Sequence, residues 1–325
     1  TADIDVITEA VNEAGVDFAM ISPAPACYHN SYQPNGDWPL APPLKKVYEL
    51  MRQAFPLAML AGGMHSYFTE LNRLRPPVGS IDVVTHSSCP IVHASDDVSV
   101  METLEALPWV FGAVRELVSE KPYWIGPTAI GMRFNPYAAR TEANPNNVRG
   151  AMVDMDPRQR GLFNAAWSLG YIAQAVVGRV SGLCLSSIVG AAGVAWQKMA
   201  FEQPWFDEQD TNTAVFPVYH VIAGLAPKAG VKVRKVNYPT SPGVPITALA
   251  FDHEGELEIW LGNTSSNNYT LDLPNVGPEA TIQRLDTSTF ELCCSNPEGF
   301  SSTRTPLTSA RLTLGPYAVI RVRMA

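Results

Sequence analysis

The chain has 325 residues, of which 46% are hydrophobic and 17% charged, with a formal net charge of -8. That is enough apolar material for one large core and a smaller one. The acidic balance and the lack of a basic stripe exclude nucleic acid and anionic membrane surfaces as partners, and no apolar run is long enough to span a bilayer. Cys27, Cys89, Cys184, Cys293 and Cys294 are odd in number and show no CxxC spacing; they read as reduced thiols of a cytoplasmic protein. The start, Thr1-Ala2-Asp3, lacks Met and a leader and reads as an internal start.

In chain order, Ile4 to Ala14 has helical spacing, with Gly15 as its C-cap. Phe18 to Ile21 is a short strand, and the loop SPAPACYHNSYQPNGDW follows. Pro42 to Phe55 is a helix. Leu57 to Ala61 is a buried strand that Gly62-Gly63 breaks, and the polar cluster His65, Tyr67, Glu70, Asn72, Arg73, Arg75 follows it. Ile81 to Thr85 is a strand leading into HSSCPIVHASDD. Ser99 to Glu102 is a capping box opening a helix through Leu117. Tyr123 to Ile130 is a strand interrupted by Gly126-Pro127. Asp156 and Pro157 open a helix to about Val180. Leu183 to Ile188 is a strand, and Thr211 to Leu225 a helix. From Pro227 the texture changes to short alternating runs, VKVRKVNY, ITALAF, LEIWLGN, YTLDL, ATIQRLD and RLTLGPYAVIRVRM, separated by hairpin-length turns such as DHEG and PEG. That pattern predicts an antiparallel β-sandwich.

The fold class is therefore α/β followed by all-β. Five alternating strands precede Pro227, whereas a closed (β/α)8 barrel needs eight strands and about 250 residues. The expectation is a TIM-type barrel represented by strands four to eight, lacking its first three, over residues 1–226. A β-sandwich accessory domain over 227–325 follows it. The plain alternative is a complete five-stranded open sheet.

Four segments, GGMHSYFTELNRLRPP, PIVHASDDVSVMETLEALP, IGPTAIGMRFNPY and DPRQRGLFNAAWSLGYIA, together resemble the bacterial D-apionate lactonase family. The resemblance covers roughly Ile4 to Val189. It implies a fold similar to that of glycoside hydrolases and opening of D-apionolactone, a sugar ester, in apiose breakdown. A small carbohydrate is the implied partner. No cofactor or metal is expected, and the sequence leaves room for a homo-oligomer.

Lactone hydrolysis needs a base, donors for the tetrahedral oxyanion and an acid for the leaving alkoxide. Glu70, after a buried strand, is the candidate base; the plain alternative is a carboxylate pinned by Arg73 or Arg75. Arg73 can hold a carboxylate or polarise a carbonyl, because a guanidinium keeps its charge. His93 with Asp96 is a candidate acid-base pair in which Asp96 orients the imidazole. Asp97 is better read as complementing a helix dipole. His86, His93, Asp96 and Glu70 could also ligate a metal, but their spacing fits no compact motif. Substrate contacts are expected from Tyr28, His29 and Asn30 after the first strand. His65, Tyr67 and Asn72 follow the second, His86 the third, and Arg133 and Asn135 the fourth. Tyr137, Trp38, Trp167 and Trp205 read as packing residues, and Trp196 as a cover for the pocket.

A barrel glycosidase is the first rival. It needs two carboxylates about 5–9.5 Å apart, and neither SPAPACYHN nor GPTAIGMRFN carries one. A non-catalytic carbohydrate-binding fragment is the second. No GxSxG elbow, P-loop or GxGxxG is present.

Overall fold

A computed structural model describes residues 2–31, 40–209, 214–237, 244–274, 276–277 and 279–324. Trp38 lies outside them. The α/β part runs α1 (Ala2–Ala14), β1 (Met20–Ile21), α2 (Leu44–Ala54), β2 (Met59–Met64), α3 (Phe68–Arg73), β3 (Val83–Ser88), α4 (Asp97–Val118), β4 (Tyr123–Thr128), α5 (Leu162–Val177), β5 (Gly182–Leu185) and α6 (Val218–Leu225). The five strands form one parallel sheet in sequential order, with Met20 opposite Met59, Ala61 opposite Val83, Val84 opposite Tyr123 and Trp124 opposite Gly182. Sequential parallel order with helical crossovers is the arc of a (β/α) barrel, and it puts the carboxyl ends of all five strands on one rim.

Several boundaries differ from the sequence reading. Gly62 and Gly63 do not break the strand; they lie within it. Gly63 sits at φ +150°, and a Cβ there would meet the Thr85 carbonyl oxygen at 1.9 Å. Gly63 is what lets β2 approach β3, and Gly62 leaves room for the Ile81 and Tyr48 side chains; periodicity alone reads the pair as punctuation. Strand β3 extends through His86, so that residue belongs to the sheet and not to the loop after it. The α4 cap is Asp96, whose carboxylate accepts the Ser99 N–H at 2.9 Å, rather than a box opened by Ser99. The helix expected from Asp156 is divided. Pro157–Arg160 is a single 3-10 turn, and α5 restarts after Gly161.

The core gathers Tyr48, Leu60, Phe111, Tyr123, Trp167 and Tyr171 between the sheet and its helices. Trp167, fully buried and donating to Thr103, is a packing residue. Trp205 stacks edge-on against Phe206 and Phe290, and Trp196 donates to Asp207.

The second part holds β6 (Val233–Arg234), β7 (Ile246–His253), β8 (Glu256–Asn263), β9 (Tyr269–Asp272), β10 (Thr281–Leu285), α7 (Phe290–Ser295), α8 (Pro297–Ser301), β11 (Thr305–Pro306), β12 (Arg311–Leu314) and β13 (Val319–Met324). An antiparallel six-stranded sheet, ordered β11-β10-β13-β8-β7-β6, faces a two-stranded sheet of β12 and β9. Leu261, Ile282, Ile320 and Val322 pack between them against Leu312 and Leu314. The other face of the larger sheet carries Leu249, Phe251, Trp260 and Val319 into the same core as α5. Two short helices, α7 and α8, occupy a stretch expected to hold only a turn. They dock on the α/β part through His220, whose Nε2 is 2.8 Å from the Cys293 carbonyl.

Candidate active site

Three connections converge on one rim of the sheet. After β1 a 3-10 turn, Ala26–His29, leads to Ser31, whose N–H donates to the Pro136 carbonyl at 2.6 Å. That bond ties the loop after β1 to the loop after β4. After β2 the chain turns through Ser66 and Tyr67 into α3, a six-residue helix that carries Glu70 and Arg73 on its inner side.

Glu70 is 0% exposed. Its Oε2 accepts the Tyr67 N–H at 3.1 Å, as the third residue of a helix commonly does. Its Oε1 accepts the Ser31 hydroxyl at 2.7 Å. Arg73 Nη1 lies 3.9 Å from the same oxygen and donates to Ser31 Oγ at 2.9 Å. The carboxylate is thus held by a helix end and an arginine, as the plain alternative has it, and it also accepts a hydroxyl from a neighbouring loop. Tyr137, half-exposed, joins the group from the β4 loop. Burial pushes its phenol up to about 12, with the Glu70 charge adding to the effect, so it stays neutral and able to donate at ordinary pH.

Beside this cluster stands a layered set of rings. His29 stacks on Phe134 at 5.1 Å and 25°, and Tyr67 lies parallel to Phe134 at 6.4 Å. His65 meets His29 edge-on at 6.0 Å, and its Nε2 is 2.9 Å from the Ser22 carbonyl. Burial holds His65 below the usual imidazole range, which keeps it neutral. Flat, stacked rings with donors at their edges suit the faces and hydroxyls of a sugar. A cavity of about 670 Å³ between α1, β1 and the following loop reaches His29 and His65.

The other predicted residues are placed as follows. Tyr28 is buried in the 3-10 turn, and Asn30 is exposed beside it. Asn135 is buried, with its Oδ1 accepting the Tyr137 N–H at 2.9 Å, so it shapes the β4 loop. Arg133 is exposed and donates to Ser187 Oγ at 2.8 Å. Asn72 faces outward and accepts from Arg75 at 2.9 Å. His86 is 2% exposed. Its Nδ1 is 2.7 Å from the Ser87 carbonyl, and its Nε2 2.6 Å from the Tyr123 hydroxyl. A carbonyl can only accept, so Nδ1 carries the proton and Nε2 accepts from Tyr123. Burial lowers this imidazole to about 4, and both nitrogens are spent inside the protein. His93 is exposed, and the Asp96 carboxylate is occupied with the α4 cap. Asp97 instead pairs with Arg149 at 3.1 Å and Arg158 at 3.2 Å. Asp97 stands in the first turn of α4, where its charge complements the helix dipole as expected, while Asp96 makes the cap. Among the described residues no group of three or more His, Cys, Asp or Glu is arranged to hold a metal.

A family model for the D-apionate lactonase TIM barrel domain matches residues 1–230, and one for the D-apionate lactonase C-terminal immunoglobulin-like domain matches 245–322. The chain belongs to the D-apionate lactonase family. A D-apionate lactonase of Brucella anthropi is 39% identical over 267 residues, covering 82% of this chain and 42% of that protein. The chain thus spans less than half the length of this relative. Among solved structures, N2152 from Neocallimastix frontalis is similar with a TM-score of 0.52 and 12% identity, over 99% of this chain and 74% of that one. A conserved exported protein from Bacteroides fragilis gives 0.51 and 12%, over 99% and 68%. At these identities the likeness is one of fold.

Every residue of the Glu70 cluster lies within the part matched by the barrel-domain model of the family. Two members were not singled out from the sequence. Ser31 sits in a polar loop without a motif, and Tyr137 reads there as packing. Only the bond from Ser31 to Pro136 and the approach to Glu70 mark them.

Proposed function

We propose that this chain hydrolyses a sugar lactone of the D-apionolactone type to the open aldonate, with Glu70 as the proton acceptor. The observation that carries the reading is the Glu70–Ser31–Arg73 contact at the rim of the parallel sheet, in a segment matched by the family model. A lactone carbonyl develops negative charge as it is attacked, and a fixed guanidinium beside the attack site offsets it. The stacked His29, Phe134 and Tyr67 rings supply a surface for a small polyol. Five free cysteines fit a reducing compartment, and we place the protein in the cytoplasm.

A glycosidase would need a second carboxylate facing Glu70. The described residues after β1, 22–31, and the first residues after β4, 129–137, contain no Asp or Glu. The test is acid release, followed at constant pH, from D-apionolactone and related five-membered aldonolactones, with aryl glycosides alongside. The expected result is catalysed release from lactones alone. Glycoside cleavage with inert lactones would overturn the reading.

A further inference from the structure

The geometry points to Ser31 as a catalytic nucleophile whose hydroxyl Glu70 activates, so that hydrolysis passes through an acyl-serine intermediate. This rests on the lactonase reading above. Glu70 is wholly inaccessible, and both its oxygens are occupied, one by the Tyr67 N–H and one by Ser31. On its open side this base meets the Ser31 hydroxyl, with the half-exposed Tyr137 beside it. Ser31 itself is half-buried.

The surroundings of Ser31 Oγ match what a serine nucleophile requires. A hydroxyl has one proton and two lone pairs. Its proton points at Glu70 Oε1 at 2.7 Å, and one lone pair accepts from Arg73 Nη1 at 2.9 Å. Among the described residues nothing else bonds to Oγ, which leaves the second lone pair for attack. The backbone of Ser31 is fixed to Pro136, which holds its Cα and Cβ in place, and the bonds to Glu70 and Arg73 set the side-chain rotamer. The chain order places the base 39 residues after the nucleophile, an arrangement that no GxSxG pattern announces.

Oγ attacks the lactone carbonyl carbon and its proton passes to Glu70, forming a C–Oγ bond and a tetrahedral oxyanion beside the Arg73 guanidinium. The oxyanion collapses, the ring C–O bond breaks, and Glu70 returns the proton to the departing oxygen. Because that oxygen belongs to a ring, it stays on the same acyl chain as a hydroxyl. Water then attacks the acyl carbon while Glu70 takes its proton. The C–Oγ bond breaks, Oγ recovers the proton, and the hydroxy acid leaves. The net change is lactone plus water to hydroxy acid.

Two measurements test this on the chain as it is. The first is labelling by a fluorophosphonate, which reacts with activated serines, with the modified peptide mapped by mass spectrometry. The second is a rapid acid quench during turnover of an aldonolactone, looking for an adduct of the full lactone mass on the Ser31 peptide. Label and adduct on Ser31 are expected, with labelling lost in Glu70→Gln and turnover falling at least a thousandfold in Ser31→Ala. Active wild type with an unlabelled Ser31, and Ser31→Ala retaining more than a tenth of the rate, would overturn the nucleophile while leaving the lactonase reading intact. Label on Ser31 that depends on Glu70, with every lactone inert, would keep the activated serine and sink the lactonase reading. Mapping on wild type does not depend on Ser31→Ala folding.

Discussion

Ser31 donates its hydroxyl to Glu70 Oε1 at 2.7 Å although 39 positions separate them in the chain. The contact exists because the loop after β1 and the helix after β2 rise from neighbouring parallel strands. It sets the first expectation.

Glu70→Gln retains the shape of the side chain and its acceptor oxygen but removes the proton acceptor. Turnover is expected to drop about a hundredfold to ten-thousandfold, the usual range for a lost general base. The thermal midpoint should move little, because Gln can still accept from Tyr67 N–H. Turnover within tenfold of the parent, in a variant with an unchanged melt, would remove Glu70 from the reaction.

His86 makes a pH prediction. Its imidazole is lowered to about 4 in the folded protein against an ordinary value near 6.5. Between those values the unfolded chain binds more protons, so stability is present above pH 6.5 and is lost as pH falls towards 4. The groups packed on it, Tyr123 and Phe68, offer it no negative charge. The loss attributable to His86 is on the order of 3 kcal/mol. Urea midpoints of wild type and His86→Gln between pH 7 and 4.5 check it, and equal pH slopes would refute it.

Gly63→Ala should not be tolerated. A Cβ would sit 1.9 Å from the Thr85 carbonyl oxygen, and φ is +150°. Neither strand can yield without breaking the β2–β3 ladder, so the cost should be about 3–5 kcal/mol or loss of the fold. Soluble yield and a cooperative thermal transition are the readouts; a normal melt would refute the close approach of Gly63 to Thr85.

Asp96→Ala should cost about 1 kcal/mol through loss of the α4 cap, and Asp96→Asn much less, because Asn caps as well. Denaturant midpoints of the two variants decide it. A fall in turnover exceeding tenfold in the Asn variant, with its fold intact, would return Asp96 to the catalytic set beside His93.

Glu258 in the sandwich is 3% exposed and holds three partners. Arg321 lies at 2.6 Å, Arg323 at 3.0 Å and Trp260 Nε1 at 2.6 Å. Arg321 also covers the Trp260 ring at 5.1 Å. Removing the charge alone leaves two guanidinium groups beside each other in a desolvated place. Glu258→Gln is expected to destabilise by about 3–5 kcal/mol. Chemical denaturation measures this, and a shift under 1 kcal/mol would mean that water reaches the site.

The order of elements was legible in the sequence because it depends on local pattern. Helical spacing with glycine and proline stops marked α1, α2 and α4, and period-two runs with hairpin turns marked the sandwich. The family resemblance was legible for a related reason: it is carried by long continuous segments around the strand ends, GGMHSYFTELNRLRPP among them. Glu70 and Arg73 stood out because they follow a buried strand and a glycine pair in one such segment. Contacts between loops were not legible. Nothing in GG says whether a glycine pair ends a strand or lets two strands approach, and only the Thr85 carbonyl opposite Gly63 decides it. Nothing near His86 shows that Tyr123 will spend its second nitrogen, or that Asp96 will turn to a backbone N–H and not to His93. Above all, Ser31 carries no sequence signal. Its meeting with Glu70 and Arg73 is made by the parallel order of β1 and β2, and a hydrogen bond across 39 residues is a property of that packing alone.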